Sequence, residues 1–310
     1  MNIHLNIAMT QFEDLLLEYP SYPWDWSKVS LNSSLSFEFV LNNRNLPFVS
    51  KYISQNVNVK EQDVVDNPEY PWDYEGLCSN PNLSFAFFNE YIIRPEEIHR
   101  VDWNSLSSNP SITMIDVINN PNYKWNDRYL SSNPNLTSNF ILNEGLSRNW
   151  YAPSVSSNSG ITSRDIYKST LKSLFEWDYT NLSSNPNLPI AHVHNNIKLN
   201  WNYHALSINA SLNDIHAFHK IKWDGHGLSL NPNITFEYVM AHPKVKWHYP
   251  TLAMNPSITM ENMSWITKQS NQPIDYYLYS NPNISIDWIK KNIHTIDWNR
   301  LSSNPLNQKI

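Results

Sequence analysis

Apolar positions in this chain recur at fixed offsets from a fixed asparagine. An aliphatic residue stands three places before an Asn in each of twelve units, from Val29 before Asn32 and Ile53 before Asn56 to Leu301 before Asn304. Successive asparagines are usually 24 residues apart, with outliers from 22 to 29, and the eighth position after the Asn is apolar in all eleven units that reach it. These positions belong to one recurring phrase, legible at WDYEGLCSNPNLS from Trp72, WNDRYLSSNPNLT from Trp125 and WDGHGLSLNPNIT from Trp223. A fixed period of this length is the sequence signature of stacked units that build a core together.

The flanks of each asparagine read as two helix starts. Ahead of it, Trp24, Asp25 and Val29 place an apolar residue, a capping side chain and an aliphatic residue in the fourth helical position, and Trp72, Asp73 and Leu77 repeat the pattern. Behind it, Leu35, Ser36 and Val40 do the same, as do Ile234, Thr235 and Val239. This is the grammar of a hydrophobic staple around an N-cap. Each unit is therefore expected to hold two helices of about two turns. The first would stop at an Asn in the left-handed conformation, with the Pro that follows in eight of twelve units preventing continuation. Helices this short do not hold alone in water, so stacking must stabilise them.

A leucine-rich repeat shares the period and the asparagine. Its strand would need an apolar residue five places before the Asn, where this chain has Ser27, Glu75, Asn104, Arg128, Thr180, His204 and His226. The expectation is an all-α chain: an α-solenoid of about twelve two-helix repeats of ~24 residues, with half-repeats at both ends. Residues 1–20, opened by the capping box Thr10-Gln-Phe-Glu13, would be an N-terminal half-repeat, 21–295 eleven tandem helix-turn-helix repeats, and 296–310 a truncated last repeat. Longer spacers around Ile92–Arg100, Gly160–Glu176 and Trp265–Pro273 mark irregular loops. At 8–10 Å per packed helix the result would be a curved rod on the order of 100 Å long.

Composition adds exclusions. Five Gly, with no Gly/Ser-rich run, leave no linker to divide the chain, and thirteen Trp and 17 Tyr suit a wide, shallow core. The single Cys78 removes disulfides and points to a reducing compartment. No stretch approaches the apolar length of a membrane span, and the opening MNIHLNIAMTQFEDLLLEY lacks the basic start of a secretory leader. The net charge of −6 hides a gradient, with 6 basic against 14 acidic side chains in residues 1–100 and 9 against 7 in residues 201–310. An acidic chain lacks the basic face that nucleic-acid readers need, so no nucleic-acid partner is expected.

The phrase, in its Asn-rich and Gly-poor setting, resembles the tandem-repeat proteins of giant DNA viruses, particularly the mimivirus-like group. The resemblance spans nearly the whole chain. It implies a virus-encoded protein of infected-cell cytoplasm or of the particle, and says little of activity. Unit two (FVSKYISQNVNVK) departs from it by lacking Trp and Pro, and unit six by reading Asn158-Ser-Gly.

Candidate chemistry is sparse. Asp25, Asp73, Asp102 and Asp178 are explained as N-caps, the repeated Ser belong to the phrase, and no Gly-rich phosphate loop or nucleophile elbow occurs. Catalytic and cofactor-binding residues are therefore not assigned. Eight of 11 His fall between His192 and His248. His204 and His226 share one position, and His192 and His216 share another, but units about 10 Å apart are too distant to share one zinc. Metal binding in this His-rich stretch is kept as a weaker alternative, with no metal ligands assigned. The leading expectation is a non-enzymatic scaffold for a protein partner, with a structural role in a viral particle as the alternative. Partner residues should vary between units. The seventh position after the Asn varies most visibly, so Phe39, Phe87, Phe140, His192, His216, Tyr238 and Trp288 are the expected anchors, semi-exposed on the second helices.

Overall fold

The computed structural model describes residues 9–94, 98–144, 147–167 and 176–306, and among them all regular structure is helical, with no strand. Residues 1–8 of the expected N-terminal half-repeat, residues 307–310 of the last one, and parts of two spacers (95–97 and 168–175) lie outside the described residues. Among the described residues no helix is long and apolar enough to cross a membrane.

The short helices start where the capping side chains stand. Asp25 accepts from the Ser27 and Lys28 amides at the head of helix Trp26–Leu31, and Asp73 accepts from Gly76 at the head of Tyr74–Ser79. Ser36, Thr113 and Thr235 cap Phe37–Asn42, Met114–Asn119 and Phe236–Ala241 in the same way. Each helix holds six residues, under two turns, so most backbone groups at its ends need partners from outside the helix. The tryptophan that opens many units supplies one. Its indole N–H donates to the carbonyl five residues upstream, where the preceding helix ends, as Trp24 does to Tyr19, Trp72 to Asn67, Trp125 to Asn120 and Trp201 to Asn196.

The recurring asparagine is not left-handed. Asn32 has φ −64 and ψ 129, and Asn80, Asn109 and Asn231 are similarly extended. Pro commonly follows, and a residue before Pro is pushed toward extended backbone. The side chain does the closing instead. In Asn133, Oδ1 accepts from the Asn135 amide at 2.8 Å, while Nδ2 donates to the carbonyls of Ser107 (2.9 Å) and Asn109 (3.0 Å) in the unit before. Asn56, Asn80, Asn158 and Asn255 repeat this geometry, each donating to the preceding unit's asparagine carbonyl. A buried amide thus satisfies carbonyls that a terminated helix leaves open.

A second ladder runs beside it, two residues upstream. Ser107 Oγ donates to the Trp103 carbonyl of its own helix at 2.6 Å and accepts the Asn126 amide of the next unit at 2.9 Å. Ser54, Ser156, Ser207 and Ser229 receive the next unit's N-cap amide likewise, and all four are fully buried.

Unit eight breaks the register. Ser211 caps its second helix two residues beyond Asn209, where other units need four, so the phrase is two residues short. Asn209 ends inside helix Tyr203–Asn209, is exposed, and donates only to Ser184. The following rung adapts: Asn231 donates to the Ala210 carbonyl at 2.7 Å instead of to an asparagine. The recurrence of Asn in all twelve units therefore overstates the ladder, because Asn209 is not a rung.

The two ends of the chain meet, so the open rod expected from the sequence does not form. Asn32 Nδ2 donates to Ser302 and Asn304, both at 3.0 Å, and the Asp25 amide donates to Ser302 Oγ at 2.9 Å. These are the same two ladders, continued from residue 304 back to residue 25. Ser34 Oγ donates to the Pro305 carbonyl, and Lys28 Nζ donates to Asn299 Oδ1 at 2.6 Å. Helix Gln11–Glu18 lies where the second helix of the last unit belongs. Its Glu13, 2 % exposed, accepts from the Ser36 amide and hydroxyl at 2.7 Å, and Glu18 pairs with Lys290 at 2.6 Å. The expected terminal half-repeats are thus halves of one unit packed together. Leu306 is the only non-glycine residue with positive φ (50°) among those described, and its side chain is buried. Burying a leucine contributes about 1.5–3 kcal/mol, enough to offset the roughly 1–2 kcal/mol of a left-handed residue.

The core follows the same circuit. One hydrophobic cluster runs from Leu77 to Ile221, while the other joins Phe12, Leu15, Leu16 and Trp24 to Ile289, Trp298 and Leu301. Trp24 and Trp298 meet at 4.6 Å between ring centroids. Among the described residues, first helices of neighbouring units pack directly on one another, as Tyr203–Asn209 does on Gly225–Leu230, whereas second helices have no comparable mutual packing. One such close approach is at Gly227, where a Cβ would stand 2.5 Å from the His204 carbonyl oxygen and 2.8 Å from Ser207 Cβ. Ser207 is fixed by the serine ladder, and the His204 carbonyl is backbone of the neighbouring helix. Gly227→Ala is therefore expected to lower stability by about 1–3 kcal/mol despite the higher helix propensity of alanine, as read from urea unfolding.

Candidate interaction surface

The seven residues expected as partner anchors fall into three groups. Phe39 (4 %), Phe87 (4 %), Phe140 (6 %) and His192 (9 %) are buried, Tyr238 and Trp288 are half-buried, and His216 is exposed. The reading of the four buried ones as semi-exposed anchors is corrected by their packing. Phe39 stacks edge-on against Phe48 and Phe140 against Trp150, each ring filling space beside its own unit's neighbour. The seventh position is the third residue of the second helix, and it accepts two chemistries. An aromatic ring packs inward, or a carboxylate reaches back to the N-cap amide, as Asp116 does to Thr113 and Asp165 to Thr162. Variation there marks two solutions to one structural need. His216 is not equivalent to His192, because the two-residue shortening of unit eight places Asp214 third in that helix.

Variation with exposure occurs, in seven of twelve units, five residues before the asparagine; Pro250 at that position is buried. The exposed residues include Glu75, Asn104, Arg128, Thr180, His226 and Tyr276. They form a belt along the outer edge of the packed first helices and touch from unit to unit. Lys51 Nζ pairs with Glu75 at 2.7 Å, Asn126 Nδ2 donates to Asn104 Oδ1 at 2.7 Å, and the Arg128 guanidinium lies 4.2 Å from the Tyr151 ring centroid. The polarity of this position was legible from the sequence, but there it served only to exclude a strand.

In units eight and nine the belt residue is histidine, and the N-cap His248 of unit ten extends the pair into a row of imidazoles. His204 and His226 are 5.1 Å apart between ring centroids, and His226 and His248 are 4.5 Å apart. The spacing of about 10 Å expected between equivalent histidines of adjacent units is too large for His204 and His226, because glycine lets these first helices approach closely. His204 Nδ1 lies 3.2 Å from Asp224 Oδ2. Partial burial pushes the Asp224 carboxyl up, but the Gly227 amide and the His204 ring outweigh it and hold the group below the usual carboxylate range. His248 Nδ1 accepts from the Thr251 amide, which leaves its proton on Nε2. Burial, with repulsion from His226 second, lowers its affinity for a further proton. Among the described residues no group of three His, Cys, Asp or Glu has the geometry to hold a metal ion.

This row faces a cavity of about 740 Å³, whose wall also includes Lys222, Lys244 and Lys246. Sequence reasoning passed over these lysines, although Lys222 and Lys246 stand at one offset, immediately before the tryptophans of adjacent units. Cys78 offers no chemistry, since burial pushes its thiol up to about 12. Comparison with protein-family models, with curated proteins and with solved structures finds no match.

Proposed function

We propose that the chain is a non-enzymatic scaffold of twelve two-helix steps, the twelfth assembled from both chain ends, closed into a ring that presents its exposed belt to a protein partner. The observation that carries this reading is the division of labour between positions. Rung asparagines, rung serines and core aliphatics repeat, while the belt residue varies and is exposed as Glu75, Asn104, Arg128, Thr180, His226 and Tyr276, although Pro250 is buried there. A constant frame with a varying exposed stripe is how stacked-unit proteins recognise partners. The resemblance to giant-virus repeat proteins supports a setting in infected-cell cytoplasm, with a place in the particle as the second form of the same scaffold.

The test is affinity capture from infected-cell lysate, with the native chain beside a variant carrying Glu75→Ala, Asn104→Ala, Arg128→Ala, Thr180→Ala and Tyr276→Ala. All five side chains are exposed, so the variant should keep its melting temperature within a few degrees. The native chain is expected to retain a protein that the variant loses. Equal capture by both would remove the belt as the binding surface. Alanine at Phe39, Phe87 and Phe140 would be a poor test, because those rings are buried and the variant would lose core packing instead.

A further inference from the structure

The cavity beside the histidine row has an excess of donors without partners. Lys222, Lys244 and Lys246 line it and form no ion pair or hydrogen bond among the described residues, and the exposed His226 ring lies in the same wall. Against three lysines the wall sets one carboxylate, Asp224, which already accepts from Gly227 and contacts His204. The seam cavity lined by Glu18 and Lys290 has no such excess, because its cation is paired.

We propose that this cavity binds a phosphate monoester carried by a protein partner. The proposal rests on the protein-binding reading above and names the chemistry of one sector of the surface. A phosphate monoester brings about −1.5 to −2 charge and three strong acceptor oxygens, which match three ammonium groups and an imidazole N–H on one cavity wall. A lone carboxylate, with one charge and two oxygens, would leave most of these donors unused. The apolar part of the wall, Ile215, Leu228 and Val245, gives the aliphatic stem of the modified residue a surface to lie on. The site is thus a specific contact within a broader belt.

Isothermal titration of the full chain tests this with four probes: a blocked glycine-flanked phosphoserine pentapeptide, its unphosphorylated form, inorganic phosphate and adenosine monophosphate. The phosphopeptide is expected to bind saturably at one site, the unphosphorylated form not at all, and inorganic phosphate and the nucleotide more weakly. Changing Lys222→Gln, Lys244→Gln and Lys246→Gln together should weaken the phosphopeptide by about tenfold or more. These side chains are exposed, so melting of the variant should stay near native. His226→Asn offers a second, milder reduction. The proposal is overturned if no phosphate probe saturates, if the triple variant binds unchanged, or if inorganic phosphate or the nucleotide binds as tightly as the phosphopeptide. The scaffold reading is judged separately: a partner captured from lysate by the native chain and lost with the belt variant keeps it standing even where the phosphate site fails.

Discussion

A chain lacking residues 1–20 is expected to lose its cooperative native state, although among the described residues it gives up one eight-residue helix. The reason lies in what that helix completes. Phe12, Leu15 and Leu16 are 0 %, 1 % and 0 % exposed, and truncating one large core side chain costs about 2–5 kcal/mol. Losing all three, with the buried Glu13 contacts to Ser36, approaches the entire stability of a typical domain, about 5–15 kcal/mol. In an open stack, removal of a terminal half-unit would fray one end and leave the remaining units nearly as stable as before. In a closed one it strips partners from the first and last units together. A circular permutant that starts at Asn122, with the natural ends joined by a flexible linker, separates these cases. It keeps every helix and moves the break elsewhere, so it should unfold in one transition near the native midpoint. Small-angle scattering adds a second readout. Twelve steps of 8–10 Å closed on themselves give a maximum dimension of roughly 60–70 Å, against about 110 Å for the same steps in a line. A native chain near 110 Å, or a truncated chain as stable as the parent, would refute closure.

How far this architecture could be read from the sequence depends on whether a residue's job is local. The N-caps were legible, because Asp25, Ser36, Asp73 and Thr235 act on amides two or three residues away. The helical class was legible for the same reason, from the polar residue five places before most of the asparagines. The asparagine itself misled. An Asn at a helix end followed by Pro suggests a backbone role, but Asn133 uses its side chain on carbonyls 24 and 26 residues away, a partnership no local pattern encodes. Alternation of Phe and Asp at the seventh position suggested a surface, since cores seldom exchange those residues. The structure shows a helix position where either a packed ring or a capping carboxylate suffices. Closure was half-visible: both ends read as incomplete units, and only contacts such as Asn32 to Ser302 reveal that each completes the other.

The same distinction between a rung and its look-alike sets the largest expected effect of a single substitution. Asn133→Ala should cost about 2–4 kcal/mol, and Asn209→Ala less than about 0.5 kcal/mol, although the sequence presents them as equivalent. Asn133 is fully buried, and its loss leaves the Ser107 carbonyl without its 2.9 Å donor and the Asn135 amide without its acceptor, at about 1–3 kcal/mol for each buried group left unpaired. Asn209 is exposed, and its single bond to Ser184 can be replaced by water. Asn133→Asp sharpens the test, because it keeps shape and volume while turning a donor toward three carbonyl oxygens into an anion. Those oxygens and the burial both disfavour the ionised form, so its folded-state pKa rises above the unfolded value of about 3.9. The neutral acid, which can still donate one hydrogen bond, is then the form the fold accepts. The penalty is therefore small below the unfolded pKa and grows as pH rises toward the folded one. Denaturant midpoints of this variant should approach the parent near pH 4 and fall away by pH 7, while those of Asn133→Ala keep a constant distance from the parent. A midpoint gap for Asn133→Asp that does not change with pH would mean the side chain reaches solvent, and the ladder would then not be the buried spine of the fold.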